Sequence, residues 1–382
     1  MKRIEIAVVS DILGAEKSGM TAAAANLISY LKARGHAVRV ICPDEERQGQ
    51  NGYYVILPVP PEEKTGLARL FKKDTPLFSV AELEAMKNAL SGADVVHIIT
   101  PFRLGSLALQ TAEALRLPVT ADFHFPLEEL RDRERADEKS LFHDRDYAGL
   151  HERFYSQVQA IHYPTTYIRD VYESAVGRTN GKVIYNGVSA RFTKTEAERP
   201  DAWKDFFVIL YTAPFIREKG HDVLIEAVRQ SEFESKIQLV FAGDGPLKEE
   251  LAAQAEILTN PPLMQDFTRS ELLRIINCAD LYVHPAEVDT ESLSCIEAVN
   301  CGLVPVIANA PRSAARFYAM GSKNLYQYND PLELTSKIEY WMTHEEEKEK
   351  LSLRYQRFTK DFSLMSCMEK LELMIYQASG KN

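Results

Sequence analysis

No apolar run in this sequence approaches the ~20 residues needed to cross a bilayer as a helix, so no membrane-spanning segment is expected. The opening residues Met1-Lys2-Arg3-Ile4-Glu5-Ile6 read as the start of a strand and not as a secretion signal, and the expected location is cytoplasmic. Cysteine is scarce. The five thiols, Cys42, Cys278, Cys295, Cys301 and Cys367, are odd in number and form no Cys-x-x-Cys pair, which argues against a disulfide framework or zinc site and for reduced, buried thiols. Positive charge is in deficit, with 45 Lys and Arg against 55 Asp and Glu and a formal net charge of −10. Neutralising the phosphates of a nucleic acid needs the opposite balance, so no nucleic-acid partner is expected. No Gly-x-Gly-x-x-Gly occurs, so a dinucleotide site lacks its fingerprint, and no short repeat is apparent.

What is present suits a globular protein of two domains with substantial cores: 382 residues, 45% hydrophobic and 26% charged. Strand-like and helix-like stretches alternate twice over. Ile4 to Val9, a loop with Gly14, Ser18 and Gly19, an Ala-rich helix to Arg34 and a strand from Ala37 to Cys42 open the first half. Further strands follow at Tyr53 to Leu57, Ala93 to Ile99 and Leu117 to Ala121, the last ending at Asp122-Phe123-His124, which puts His124 at a strand carboxyl end. Between them, Lys64, Arg69, Lys72 and Lys73 flank Leu67, Leu70 and Phe71 on a helical face, the pattern of an interfacial helix on an anionic membrane or of an ordinary surface helix. The stretch Glu128 to Gln159, with His143 and His151 too far apart for a metal pair, reads as a solvated helical face. The second half restarts with Phe206 to Thr212, His221 to Gln230 and Ile237 to Ala242, followed by Gly243-Asp244-Gly245-Pro246. Such alternation implies an α/β protein with two doubly wound domains facing across a cleft. The boundaries read as 1–192 and 205–359, joined by the polar stretch Thr193 to Asp205, and the apolar stripe Phe362, Met365, Met368, Leu371 and Ile375 needs a partner surface, expected on the first domain.

The stretch from His284 to Asn309 carries the chemistry. Strand Leu281 to His284 passes through a loop with Glu287, Asp289 and Glu291 into a short helix, a stop at Gly302 and a second strand from Val304. Carboxylates thus lie at a strand's carboxyl end beside a helix N-terminus, whose amides and positive dipole end suit a phosphate. The plain alternative is a Ser294-x-x-Glu297 capping box on an ordinary helix.

This wording resembles the acid pair of retaining glycosyltransferases of the GT-B fold. Glu297-Ala298 and Cys301 to Ile307 fit the family pattern, and its first acid falls on Asp289, with Glu287 as the alternative. The resemblance covers nearly the whole chain through Ser18-Gly19-Met20, His97 to Gly105, Asn186 to Val188, Glu218-Lys219-Gly220 and Gly243 to Leu247; Ala308 to Trp341 is similar to bacterial members that glucosylate diacylglycerol. It implies a metal-independent, retaining transfer of a hexose from a nucleotide diphosphate sugar, with UDP expected, to a hydroxyl acceptor. The acceptor is expected to be a membrane glycerolipid met by peripheral contact with the anionic inner face of the cell membrane, or else a polysaccharide or other soluble acceptor. By the same resemblance Lys219 binds the diphosphate with the amides near Leu293 and Ser294, and Glu297 binds the ribose hydroxyls. Asp289 or Glu287 holds the sugar and His124 lines the sugar or acceptor side. Gly19 permits close approach of the phosphates, and Gly243 belongs to the donor site. No cofactor and no metal are implied. The family arginine five residues before the lysine falls on Pro214, and Arg217 is the nearest replacement. That departure and Asp289 motivate the competing reading, a nucleotide-sugar-binding protein with lost or altered turnover; an isomerase acting on the nucleotide sugar is the third.

Overall fold

The computed structural model describes residues 1–13, 19–57, 78–124 and 144–381. The basic segment with Lys64, Arg69, Lys72 and Lys73, Gly14, Ser18 and His143 lie outside the described residues. Packing divides the chain into two units, Met1–Asn186 with Cys367–Asn382, and Gly187–Ser366.

The first unit is a seven-stranded parallel sheet. Its strands are β1 (Glu5–Val9), β2 (Ala37–Cys42), β3 (Tyr53–Val55), β4 (Val95–Ile98), β5 (Val119–Asp122), β6 (Ala160–Tyr163) and β7 (Gly181–Val183), in the order β3-β2-β1-β4-β5-β6-β7. Helices α1 (Gly19–Ala33), α2 (Val80–Leu90), α3 (Arg103–Ala114), α4 (Asp144–Arg153) and α5 (Thr166–Val176) make the connections. The central strands β1 and β4 to β6 are buried nearly throughout, so their apolar residues stand on both faces, with His97, Thr120, Asp122 and His162 buried among them. Helix α2 starts where Ser79 and Glu82 exchange side-chain and backbone hydrogen bonds at 3.2 and 2.7 Å. Helix α4 is no solvated face: Tyr147 and Leu150 are buried, and Tyr147, Phe123, Tyr155 and Tyr172 form one aromatic cluster. A charge count over Glu128 to Gln159 hides those few apolar positions, and they decide which side turns inward.

The second unit has strands β8 (Phe207–Thr212), β9 (Ile237–Ala242), β10 (Leu263–Gln265), β11 (Leu281–His284), β13 (Pro305–Asn309) and β15 (Leu325–Gln327), parallel and ordered β10-β9-β8-β11-β13-β15. A separate two-strand ladder pairs β12 (Val288–Asp289) with β14 (Arg312–Ser313). Helices α6 (His221–Arg229), α7 (Lys248–Ala255), α8 (Arg269–Cys278), α9 (Leu293–Asn300), α10 (Pro331–Thr343) and α11 (Glu345–Phe358) complete it. The stretch Thr193 to Asp205 is tied into this unit: Arg199 pairs with Asp280 at 2.5 Å and the Thr195 amide donates to Asn277 at 2.8 Å. Helix α12 (Leu364–Ala378) joins the first unit from Cys367 onward. There the buried Glu372 accepts from Tyr30 Oη at 2.9 Å and His36 Nε2 at 2.8 Å, beside Arg34 Nε at 3.3 Å. Of the expected stripe, Phe362, Met368, Leu371 and Ile375 are buried, while Met365 faces out. All five cysteines are free and buried.

Candidate active site

In each sheet the strand order reverses beside the first strand, between β1 and β4 and between β8 and β11. The loops leaving two strands at such a switch diverge and open a crevice at their carboxyl ends. In the second unit those loops carry Lys219, after β8, and Asp289, after β11. The Glu287 amide donates to the Glu218 carbonyl at 2.8 Å, and Tyr211 Oη donates to the Lys219 carbonyl at 2.9 Å. Gly220 stands between the loops with φ of 64°, where an added Cβ would lie 2.8 Å from the Pro285 carbonyl oxygen. Glycine is needed there for the backbone conformation and for the close approach alike.

The Lys219 ammonium donates to the Val288 carbonyl at 2.8 Å and lies 3.6 Å from Asp289 Oδ2. Asp289 has further partners: Oδ2 lies 3.2 Å from His284 Nε2, and Oδ1 accepts from the Ser292 amide at 2.8 Å and, more weakly, from Glu291 at 3.4 Å. Burial alone would raise this carboxyl, but Lys219, His284 and the Ser292 amide hold it far below the usual carboxylate range. Behind Lys219, His221 is caged by Tyr211, Phe215 and Phe241, and burial, with Lys219 adding to it, pushes its pKa down to about 3. It stays neutral and does not compete for anions.

Ser292, in the left-handed conformation at φ 59° and ψ 45°, turns the chain into α9 without a side-chain cap. The Ser294-x-x-Glu297 capping box does not form, because the helix begins at Leu293 and Ser294 lies inside it, its Oγ 3.1 Å from Tyr282 Oη. Among the described residues the Leu293 and Ser294 amides have no hydrogen-bond acceptor, so two donors at the positive end of the helix dipole remain available. Glu297 follows on the face of Leu293 and Ser294, one turn along. Its buried carboxylate is bound by both terminal nitrogens of Arg269, at 2.5 and 3.3 Å. Burial raises the Glu297 pKa and Arg269 opposes the rise.

The remaining expected residues differ in what they touch. Glu287 pairs with Arg312 and bonds Tyr328. Arg217 is exposed and its side chain has no hydrogen-bonding or ionic partner among the described residues. A Cβ on Gly243 would lie 2.0 Å from the Ala213 carbonyl oxygen, so this glycine is required by loop packing. Gly19 is the first residue of α1, and a Cβ there would meet nothing within 4 Å.

In the first unit the switch-point helix is already capped: Asp11, after β1, accepts from the Leu104 and Gly105 amides of α3 at 2.6 and 3.1 Å. Beside it, His124 Nε2 donates to Asp122 Oδ2 at 3.0 Å, while Asp122 Oδ1 lies 2.8 Å from His162 Nδ1 and 3.2 Å from His97 Nε2. His162 Nε2 donates to the Ile184 carbonyl at 2.6 Å, which turns its Nδ1 toward Asp122. Burial would raise the Asp122 carboxyl, but His97, His162 and His124 hold it well below the usual carboxylate range. The ligand atoms of Asp122, His124 and His162 lie within 4.8 Å of one another, close enough to bracket a cation, and each of the two histidine nitrogens stands at hydrogen-bond distance from a carboxylate oxygen of Asp122.

Two family models divide the chain between them: Glycosyltransferase Family 4 matches residues 17–192 and Glycosyl transferases group 1 matches residues 193–357. The chain belongs to the group 1 and family 4 glycosyltransferases. This glycosyltransferase is 23% identical over 335 residues, 80% of its length and 71% of the relative's, to alpha-monoglucosyldiacylglycerol synthase of Streptococcus pneumoniae. It is 24% identical over 336 residues to a GDP-mannose-dependent alpha-mannosyltransferase of Corynebacterium glutamicum, covering 80% of this chain and 72% of that one. Anabaena HepE in complex with UDP superposes with a TM-score of 0.78 at 16% identity over 98% of this chain and 100% of that one, so the glycosyltransferase has the GT-B fold. Sequence reasoning missed two residues of the site. His284, at the last position of β11, braces Asp289, and its place at a strand end was a readable signal. Arg269 opens α8 behind the capping box of Thr268 and Glu271, a pattern that fixes where the helix starts and which residue stands first.

Proposed function

We propose that this glycosyltransferase is a metal-independent, retaining enzyme that moves a hexose from a nucleotide diphosphate sugar, a UDP-sugar, to a hydroxyl acceptor, a membrane glycerolipid. The observation that carries the proposal is the second unit's combination of a half-buried Lys219 ammonium, two unpaired amides at Leu293 and Ser294, and a carboxylate one turn further along the same helix. The ammonium and amides supply what a departing nucleotide diphosphate needs, namely fixed positive charge and donors where negative charge gathers. They supply it without a metal. Glu297 is spaced to accept the ribose hydroxyls. Asp289 acts through Lys219, and His124, held by Asp122, lines the sugar or acceptor side. Support for a hexose and a lipid acceptor comes from the diacylglycerol and mannose in the relatives' names, and support for UDP from the complex of HepE. A second reading, donor binding without turnover, draws on the saturation of Asp289 by Lys219, His284 and the Ser292 amide.

The test is a thermal-shift and transfer panel with UDP-, GDP- and ADP-sugars and diacylglycerol vesicles, with EDTA present. One responsive nucleotide and acceptor-dependent nucleotide release, both lost in Glu297→Ala and Lys219→Ala, are expected. Transfer at the native rate in either variant refutes the assignment, and binding without release selects the second reading. Unchanged sedimentation of Lys72→Glu/Lys73→Glu with anionic vesicles refutes membrane contact by the basic segment.

A further inference from the structure

Glu297 is buried and its partner is not: the Arg269 side chain is 65% exposed against 9% for the glutamate. The guanidinium is nevertheless fixed, by both of its terminal nitrogens on the carboxylate and by the Phe192 ring, 4.4 Å from the guanidinium carbon. Resting on the donor-site reading, we propose that Arg269 is a positioning residue for the nucleotide sugar, holding Glu297 ionised and aimed while the carboxylate's remaining lone pairs accept the two ribose hydroxyls. A carboxylate offers about four lone-pair sites, and a bidentate arginine occupies two of them. Two remain for a vicinal diol.

No other described charge does this work. The titratable neighbour just past the end of the same helix, Cys301, is pushed up to about 12, first by burial and then by Glu297 itself, and stays a neutral thiol. On β11, Tyr282 and His284 face Ser294 and Asp289, and α11 presents the uncharged Ser352 and Gln356. Without Arg269, burial acts on Glu297 unopposed. The carboxyl then holds its proton further up the pH scale and meets a hydroxyl pair as a poorer acceptor.

The experiment titrates the full chain and its Arg269→Ala, Arg269→Lys and Glu297→Ala variants with UDP and GDP by calorimetry from pH 5.5 to 9, alongside donor KM and kcat. For the nucleotide that binds the native protein, Arg269→Ala is expected to weaken binding about tenfold at pH 6 and much less at pH 9, with kcat within twofold at saturating donor. Arg269→Lys should recover most of the loss. Affinity of Arg269→Ala within twofold of native at every pH, or a loss independent of pH that Lys does not rescue, overturns the proposal while leaving the donor site standing. Native affinity in Glu297→Ala, or binding of neither nucleotide, overturns the donor-site reading and this inference with it.

Discussion

Replacing Asp289 by Asn keeps the shape of the side chain and its acceptor for the Ser292 amide but removes the charge that faces Lys219. At 3.6 Å and an effective dielectric constant of ~20 the lost attraction is about 4–5 kcal/mol. Both side chains keep some solvent, 16% and 18% of their surface, and both were partly dehydrated to meet, so the net coupling is expected at about 2 kcal/mol. The measurement is a double-mutant cycle: native, Asp289→Asn, Lys219→Met and the double variant, each unfolded in urea. The single variants should lose about 2–3 kcal/mol, roughly 4–12 °C in Tm for a unit of this size, and the double variant clearly less than their sum. A coupling under about 0.5 kcal/mol would refute the claim that Asp289 acts through the lysine. The pH dependence has a fixed sign. Because folding lowers the Asp289 pKa, its contribution is complete above the unfolded value of about 4 and fades only as pH falls below that, so the native–variant difference should be flat from pH 5 to 8.

Glu372 carries the same logic into the first unit. Three side chains converge on it and its pKa is lowered, against the effect of burial, by His36, Tyr30 and Arg34, so Glu372→Ala should cost about 3 kcal/mol at pH 7, with the difference from native shrinking as pH falls below about 4.3; a constant difference down to pH 3 would refute it. Gly243→Ala should lower Tm by several degrees, because its Cβ would fall 2.0 Å from a backbone oxygen, whereas Gly19→Ala at an open helix start should be neutral or slightly stabilising. Melting curves of the two variants decide this, and equal effects would refute the packing argument.

Much of the fold was legible because doubly wound sheets announce themselves. Buried parallel strands such as Ile6 to Val9 and Leu281 to Val283 must be apolar on both faces, and the helices between them start at local signals such as Ser79-x-x-Glu82 and Thr268-x-x-Glu271. The positions of Lys219, Asp289 and Glu297 after strand ends were readable for the same reason, since spacing along the chain sets where a loop residue leaves the sheet. Which of them stay available to a ligand was not. Ser294 and Glu297 have the spacing of a capping box, yet the left-handed Ser292 moves the helix start so that the box never forms. Asp289 reads as a free carboxylate until His284, Lys219 and the Ser292 amide are folded around it, and Glu297 until Arg269, 28 residues earlier, is brought against it. Asp11 and the leucine and glycine amides it caps are 93 and 94 residues apart. Local propensity and periodicity act over a few residues and are written into the sequence directly. Charge pairing and amide capping act over a few ångströms, and only the tertiary structure decides which residues lie that close.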